Sequence, residues 1–341
     1  MLAKENVICS AYRAARFNAY NCISFLEQKT RYGVNACFII DRNIFTRLIS
    51  LARGDLVLRK TKEAEQAYRI AAGALAFFQC CDALVEPCMP LLEQAAHDNS
   101  ATANEELRLF RAADNIHPQN FADIALGRSD QLDPSLVRQS MSDKAEEAPE
   151  KPMWWTLNYA LALKLALLEL EPIDQQAKLE RFLQWLHDDY IWSASAVMFA
   201  TVYLSPLRKH GMLKRLRSPN RRAALDGVRN AVWDMTLLTM WSGNCCSAAG
   251  SKKVWFLCSR DQAVRLVAEW LVSTEASDER LKQIYTSCWG EKDGIALVKY
   301  YLNLSGKLQD PTRRIMRVPK SDPIWSRIPE ELEQEFLQRL P

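Results

Sequence analysis

Four acids stand at places where a carboxylate is either costly or useful. Asp41 ends the apolar run Ala36-Cys37-Phe38-Ile39-Ile40 and leads directly into Arg42-Asn43-Ile44-Phe45. Asp261 repeats the arrangement behind Val254-Trp255-Phe256-Leu257-Cys258, with Ser259 two positions ahead to hold the carboxylate or a metal-bound water. Asp234 lies in the most apolar part of a helical pattern, and Asn230 one turn earlier puts an amide on the same face. Glu93 follows the loop-to-helix entry Glu86-Pro87-Cys88-Met89-Pro90, in which Pro90 suits a first helical turn. An unpaired charge at the end of a buried strand is expensive unless a cation compensates it. Taken singly, Asp41 and Asp261 have an account as helix caps, and Glu93 and Asp234 as partners of surface arginines. Taken together, the four make the hard-oxygen set that a divalent cation requires. Two ions clamped by shared carboxylates can activate water and stabilise the leaving oxygen of a phosphodiester.

The two runs that end at these aspartates are continuously apolar rather than alternating, as expected for strands covered on both faces of a parallel sheet. A helical pattern follows each strand, and polar residues at the carboxyl ends of such strands face the ligand crevice. Helical periods recur over residues 64–84, 103–113, 155–170, 175–186, 222–240, 262–271 and 295–302, and only 11 glycines interrupt the chain. Residues 129–152 are the most polar stretch and predict a linker or loop. The tail from Lys307 is rich in proline and charge and ends in an amphipathic stretch from Pro329 to Leu340.

The order of these pieces resembles a PIN-domain-like nuclease. The resemblance is carried by the first strand with Asp41-Arg42-Asn43-Ile44, by Glu86-Pro87 through Leu91-Leu92-Glu93, by Asn230-Ala-Val-Trp-Asp234, and by Phe256-Leu-Cys-Ser-Arg-Asp261. It covers about residues 34–127 and 220–273. It implies a three-layer α/β/α, Rossmann-like parallel sheet with a large helical insertion in a helix-rich chain. The expected organisation is a first part of that domain over 1–128, a linker and inserted helical subdomain over 129–219, a second part over 220–275 and a helical extension and tail over 276–341. The resemblance also implies that Asp41, Glu93, Asp234 and Asp261 are the metal-binding and catalytic acids for Mg²⁺ or Mn²⁺. Asn43, Asn230 and Ser259 support them, and Glu63, Glu65 or Glu86 stays open as the second ligand in place of Glu93. The activity implied is metal-dependent endonucleolytic hydrolysis, of RNA in preference to DNA.

Composition bounds the partners. The 341 residues carry 44 basic and 41 acidic side chains, a formal charge of +3, so no uniformly basic coat exists and nucleic acid must meet a local patch. A basic segment of that kind precedes Asp234: Arg208, Lys209, His210, Lys214, Arg215, Arg217, Arg221 and Arg222, with the last four arginines as the expected contacts. Trp154, Trp155, Trp233 and Trp241 could stack on bases, but at helical spacing they predict core. Ten cysteines without a C-x-x-C and only four histidines predict reduced, core-filling thiols rather than a disulfide framework or zinc site. Neither a secretory leader nor a membrane span is expected, which predicts a cytoplasmic protein. The helical segment leaves room for a homo-oligomer or a protein partner. Asn43 stands where a haloacid-dehalogenase phosphatase needs a second aspartate, and neither a phosphate loop nor a nucleophile elbow occurs. The competing class is a catalytically inactive helical and α/β interaction protein.

Overall fold

The computed structural model describes residues 1–11, 18–57, 61–97, 100–141, 152–207, 211–248, 250–271, 278–308 and 324–339. The chain divides into two compact units, Met1–Lys151 with Trp241–Val272 and Pro152–Met240 with Ser273–Pro341.

The first unit is a helix-rich α/β unit built on a four-stranded sheet. In chain order it contains α1 (Leu2–Glu5), β1 (Ile8–Ser10), α2 (Cys22–Tyr32), β2 (Asn35–Ile40), α3 (Arg42–Ala52), α4 (Lys62–Cys80), β3 (Leu84–Glu86), α5 (Cys88–His97), α6 (Ser100–Asp114), α7 (Pro118–Ala125) and α8 (Pro134–Ser140). The strand order is β1-β4-β2-β3, where β4 is Lys253–Cys258. β2 runs parallel to both β3 and β4, as its continuous apolar run predicts. The sheet is nevertheless mixed rather than purely parallel, because β1 lies antiparallel on the outer edge of β4. With three residues, β1 is too short to announce itself by pattern, yet it caps an edge that would otherwise expose unpaired backbone groups.

Phenylalanines hold the helices to this sheet. Phe38 of β2 stacks on Phe78 of α4 at 4.1 Å between ring centroids and on Phe256 of β4 at 5.0 Å, and Phe25 of α2 meets Phe256 at 5.2 Å. Offset contacts of this kind add to the burial of each ring, and truncating a fully buried phenylalanine such as Phe38 costs about 3–5 kcal/mol. The helical period expected to reach residue 84 stops at Cys80, because Asp82 adopts a left-handed φ of 49° and turns the chain into β3. Part of the expected linker is helical: Asp133 caps α8 by accepting the Ser135 N–H at 2.8 Å. Residues 142–151 of that linker, and 309–323 of the expected tail, lie outside the described residues.

The second unit is helical where described. It holds α9 (Met153–Leu170), α10 (Gln175–Asp188), α11 (Ala194–Tyr203), most of α12 (Arg221–Ser247), α14 (Asp278–Trp289), α15 (Glu291–Lys307) and α16 (Ile324–Arg339). α13 (Gln262–Leu271) follows β4 in the first unit. α9 and α11 are apolar nearly all round and are correspondingly buried. The buried amide of Asn158 donates to Thr236 at 3.1 Å, which satisfies it inside the apolar layer. α12 crosses the boundary between Met240 and Trp241, so the segment expected as 220–275 is shared between the units. Trp155, Trp233 and Trp241 are core residues and Trp154 is exposed. No helix among the described residues is long and apolar enough to cross a membrane. All ten cysteines are free thiols.

Candidate active site

The register of the sheet brings two of the four acids to one edge. Ile40 pairs with Cys258, so Asp41 and Ser259 emerge side by side at the carboxyl ends of β2 and β4. The Asp41 N–H donates to the Cys258 carbonyl at 2.9 Å and continues the ladder one residue further. Asp41 occupies the N-cap position of α3, but its carboxylate does not cap that helix. Oδ2 instead accepts the Ser259 hydroxyl at 2.5 Å and the Asn43 amide at 2.5 Å. The Asn43 amide is itself oriented by the Arg260 N–H, which donates to Oδ1 at 3.0 Å. The Ser259 hydroxyl also accepts the Asp261 N–H at 3.0 Å. Two expected supporting residues therefore hold Asp41 in place, as outer partners orient a ligand. Asp261 does act as a helix cap: its Oδ1 accepts the N–H groups of Ala263 at 2.8 Å and Val264 at 3.2 Å at the start of α13.

Burial is the main influence on these carboxyls. It pushes Asp41 above the usual carboxylate range; the Ser259 hydrogen bond opposes the rise and the charge of Asp261 adds to it. Glu93, in the middle of α5, is pushed up from 4.5 to about 7 by burial first and by the charge of Asp41 second, with Arg42 opposing. Arg42 opposes that rise through its charge, while its hydrogen bonds go elsewhere. Its Nη1 donates to Glu106 Oε2 at 2.7 Å and to the Pro90 carbonyl at 3.1 Å, and its Nη2 donates to Gln94.

Arg42 and Glu106 were not singled out by sequence reasoning. Glu106 is 4% exposed in α6, between the core positions Ala103 and Phe110. An acid on an apolar helical face was the available signal, and the arginine next to Asp41 was its partner. Of the alternative second ligands, Glu65 pairs with Arg69 at 2.8 Å, Glu63 is exposed, and Glu86 accepts the Cys88 N–H at 3.0 Å.

Asp234 and Asn230 lie half-buried on α12 in the second unit, and Asp234 is not without an interaction partner. The first unit thus carries three of the expected acids, linked electrostatically through Asp41. Among the described residues no three Asp, Glu, His or Cys side chains gather as a closed set of metal ligands. The donor type is that of a hard divalent cation, carboxylate oxygen, and the charge of Asp261 raises the proton affinity of Asp41 as that of Asp41 raises Glu93's.

The basic segment belongs to the second unit, and its members Arg208, Lys209 and His210 lie outside the described residues. Arg215, at a left-handed φ of 58°, and Arg217 border an open cavity of about 430 Å³ together with Glu169 and Tyr203. Arg217 is 3.9 Å from Glu169 with its side chain 77% exposed. Arg221 and Arg222 are exposed in the first turn of α12, where the helix dipole disfavours cations. Gly227 seats the preceding loop on α12, since a Cβ there would lie 1.8 Å from the Lys214 carbonyl oxygen. Comparison of the chain with protein-family models, with curated proteins and with solved structures finds no match in any of the three.

Proposed function

We propose that the chain is a divalent-cation-dependent endonuclease of PIN-like type, acting on RNA in preference to DNA. The observation that carries this reading is the strand-end centre: Asp41, buried and held by Ser259 and Asn43, with the charges of Asp261 and Glu93 coupled to it. Open α/β sheets bind their ligands at the carboxyl ends of parallel strands, where this centre lies. Asp41 and Asp261 would hold Mg²⁺ or Mn²⁺, which supplies water activation and stabilisation of the leaving oxygen. Glu93, close to half-protonated near neutrality, takes a proton from the attacking water or returns one to the leaving oxygen. Ser259 and Asn43 fix the direction in which Asp41 presents its carboxylate. Arg215, Arg217, Arg221 and Arg222 would draw the phosphate backbone to the protein, and two of them, Arg221 and Arg222, stand in the first turn of α12, where the helix dipole disfavours cations.

The test uses the purified full chain with single-stranded RNA. Cleavage should require Mg²⁺ or Mn²⁺, and Asp41→Asn should abolish it without lowering the melting temperature. Metal-independent cleavage, or full activity of that variant, overturns the reading. The second reading is a non-catalytic interaction protein, favoured by the hydrogen bonds from Ser259 and Asn43 that already satisfy Asp41 Oδ2. It predicts no cleavage and a melting temperature that falls in Asp41→Asn.

A further inference from the structure

Three arginines border the strand-end centre from two different elements. Arg47, one turn beyond Asn43 on α3, donates through Nη1 to the Asn43 carbonyl, while its Nε is buried without a hydrogen-bond partner. Arg260 follows Ser259, and its backbone N–H holds the Asn43 amide. Arg265, in the first turn of α13, donates through Nη1 to the Ser259 carbonyl at 3.1 Å. All three are half-buried, and among the described residues none is in an ion pair. Among the described residues no carboxylate lies within ion-pair distance of the three, although the charge of Asp41 reaches Arg47 and that of Glu5 reaches Arg260. Burial lowers the proton affinity of Arg260, the neighbouring charges of Arg47 and Arg265 lower it further, and only Glu5 opposes them. Burial lowers that of Arg47 as well, with the charges of Tyr68 and Asp41 opposing. A chain keeps such an arrangement at a cost in stability, and a multivalent oxyanion removes the cost.

We propose that Arg47, Arg260 and Arg265 form a clamp for a phosphate group of a single-stranded nucleic-acid backbone, set beside Asp41. Guanidinium forks match phosphate oxygens, and donors from α3 and from the β4–α13 junction can engage different oxygens of one group. The identity of the ligand rests on the nuclease reading; the binding chemistry does not, because the clamp needs no metal. It would hold the strand with a backbone phosphate next to the carboxylates.

The experiment measures the affinity of the full chain for a short fluorescent single-stranded RNA in EDTA, over a series of salt concentrations. Arg260→Ala should weaken binding about tenfold, the loss of one charge-assisted contact, and should reduce the slope of log affinity against log salt by about one. Arg260→Lys should keep the slope. Among the described residues the Arg260 side chain makes no hydrogen bond and is opposed by the charges of Arg47 and Arg265, so the melting temperature of Arg260→Ala should not fall below the wild-type value. Arg47→Gln combined with Arg260→Ala should weaken binding by a further tenfold or so. Unchanged affinity and slope in Arg260→Ala overturn the clamp. Unchanged RNA binding together with lost binding of inorganic phosphate also overturns it, in favour of a free-phosphate site. If RNA binding falls as expected but the wild type never cleaves, the nuclease reading fails and the clamp stands. Cleavage by Arg260→Ala with an unaltered KM removes the clamp and leaves the nuclease.

Discussion

Glu93 gives the sharpest statement about the strand-end centre, because a carboxyl kept for chemistry and one kept for stability respond oppositely to removal. In the folded chain its proton is held up to about pH 7, against 4.5 for the ordinary group. Below 4.5 it is protonated in both states and contributes nothing. Between 4.5 and about 7 the folded state binds the extra proton, so stability falls as the pH rises; above about 7 the full cost is present. A rise of this size, at 1.36 kcal/mol for each pK unit, corresponds to about 3 kcal/mol. Glu93→Gln removes the charge and keeps the shape. Urea unfolding should therefore find the variant more stable than the wild type by up to about 3 kcal/mol near pH 8, with the difference vanishing towards pH 4.5. Such a gain is the mark of an acid retained for function against stability. Equal stabilities at both pH values would refute the reasoning, and so would a loss near pH 8, which is the behaviour of a glutamate in an ion pair.

Ser259→Ala removes the hydroxyl that donates to Asp41 and should lower unfolding stability by about 1–3 kcal/mol; an unchanged denaturation midpoint would contradict the hydrogen-bond assignment. Arg42→Ala strands Glu106 in the core and should cost about 3–5 kcal/mol, whereas combining it with Glu106→Gln should recover part of the loss, as a double-mutant cycle would report. Gly227→Ala should destabilise the second unit by about 2 kcal/mol or more, because its Cβ would meet the Lys214 carbonyl at 1.8 Å. Gly243→Ala, in the same helix with nothing within 4 Å, should raise stability by about 0.5–1 kcal/mol, and thermal melts of the pair test both signs together.

The central strands were legible because their signal is strong: two continuous apolar runs, each closed by a polar turn, are hard to read as anything else. That pattern located β2 and β4 and placed Asp41, Ser259 and Asp261 at their ends. The short strands were not legible. β1 and β3 have three residues each, and their pairing is set by the neighbouring strands rather than by any local period. The end of α4 was overrun because the apolar rhythm continues through Ala83 and Leu84, while the turn depends on a single left-handed residue, Asp82. The division of the chain inside α12 had no local signal either, since the helical period is unbroken where the tertiary contacts change. The Arg42–Glu106 pair and the three-arginine cluster are likewise products of tertiary contact; in sequence they are scattered over α3, α6 and the start of α13.

Direct binding of Mn²⁺ to the purified chain, followed by titration calorimetry at about pH 6 and about pH 8, is the measurement closest to the central claim that these acids form a cation site. The account predicts that binding strengthens as the pH rises through 7, because a cation held by Asp41 and Asp261 disfavours the neighbouring proton on Glu93, and that Asp41→Asn loses it at both pH values. Binding that is absent at both pH values, or that persists unchanged in Asp41→Asn, would contradict it.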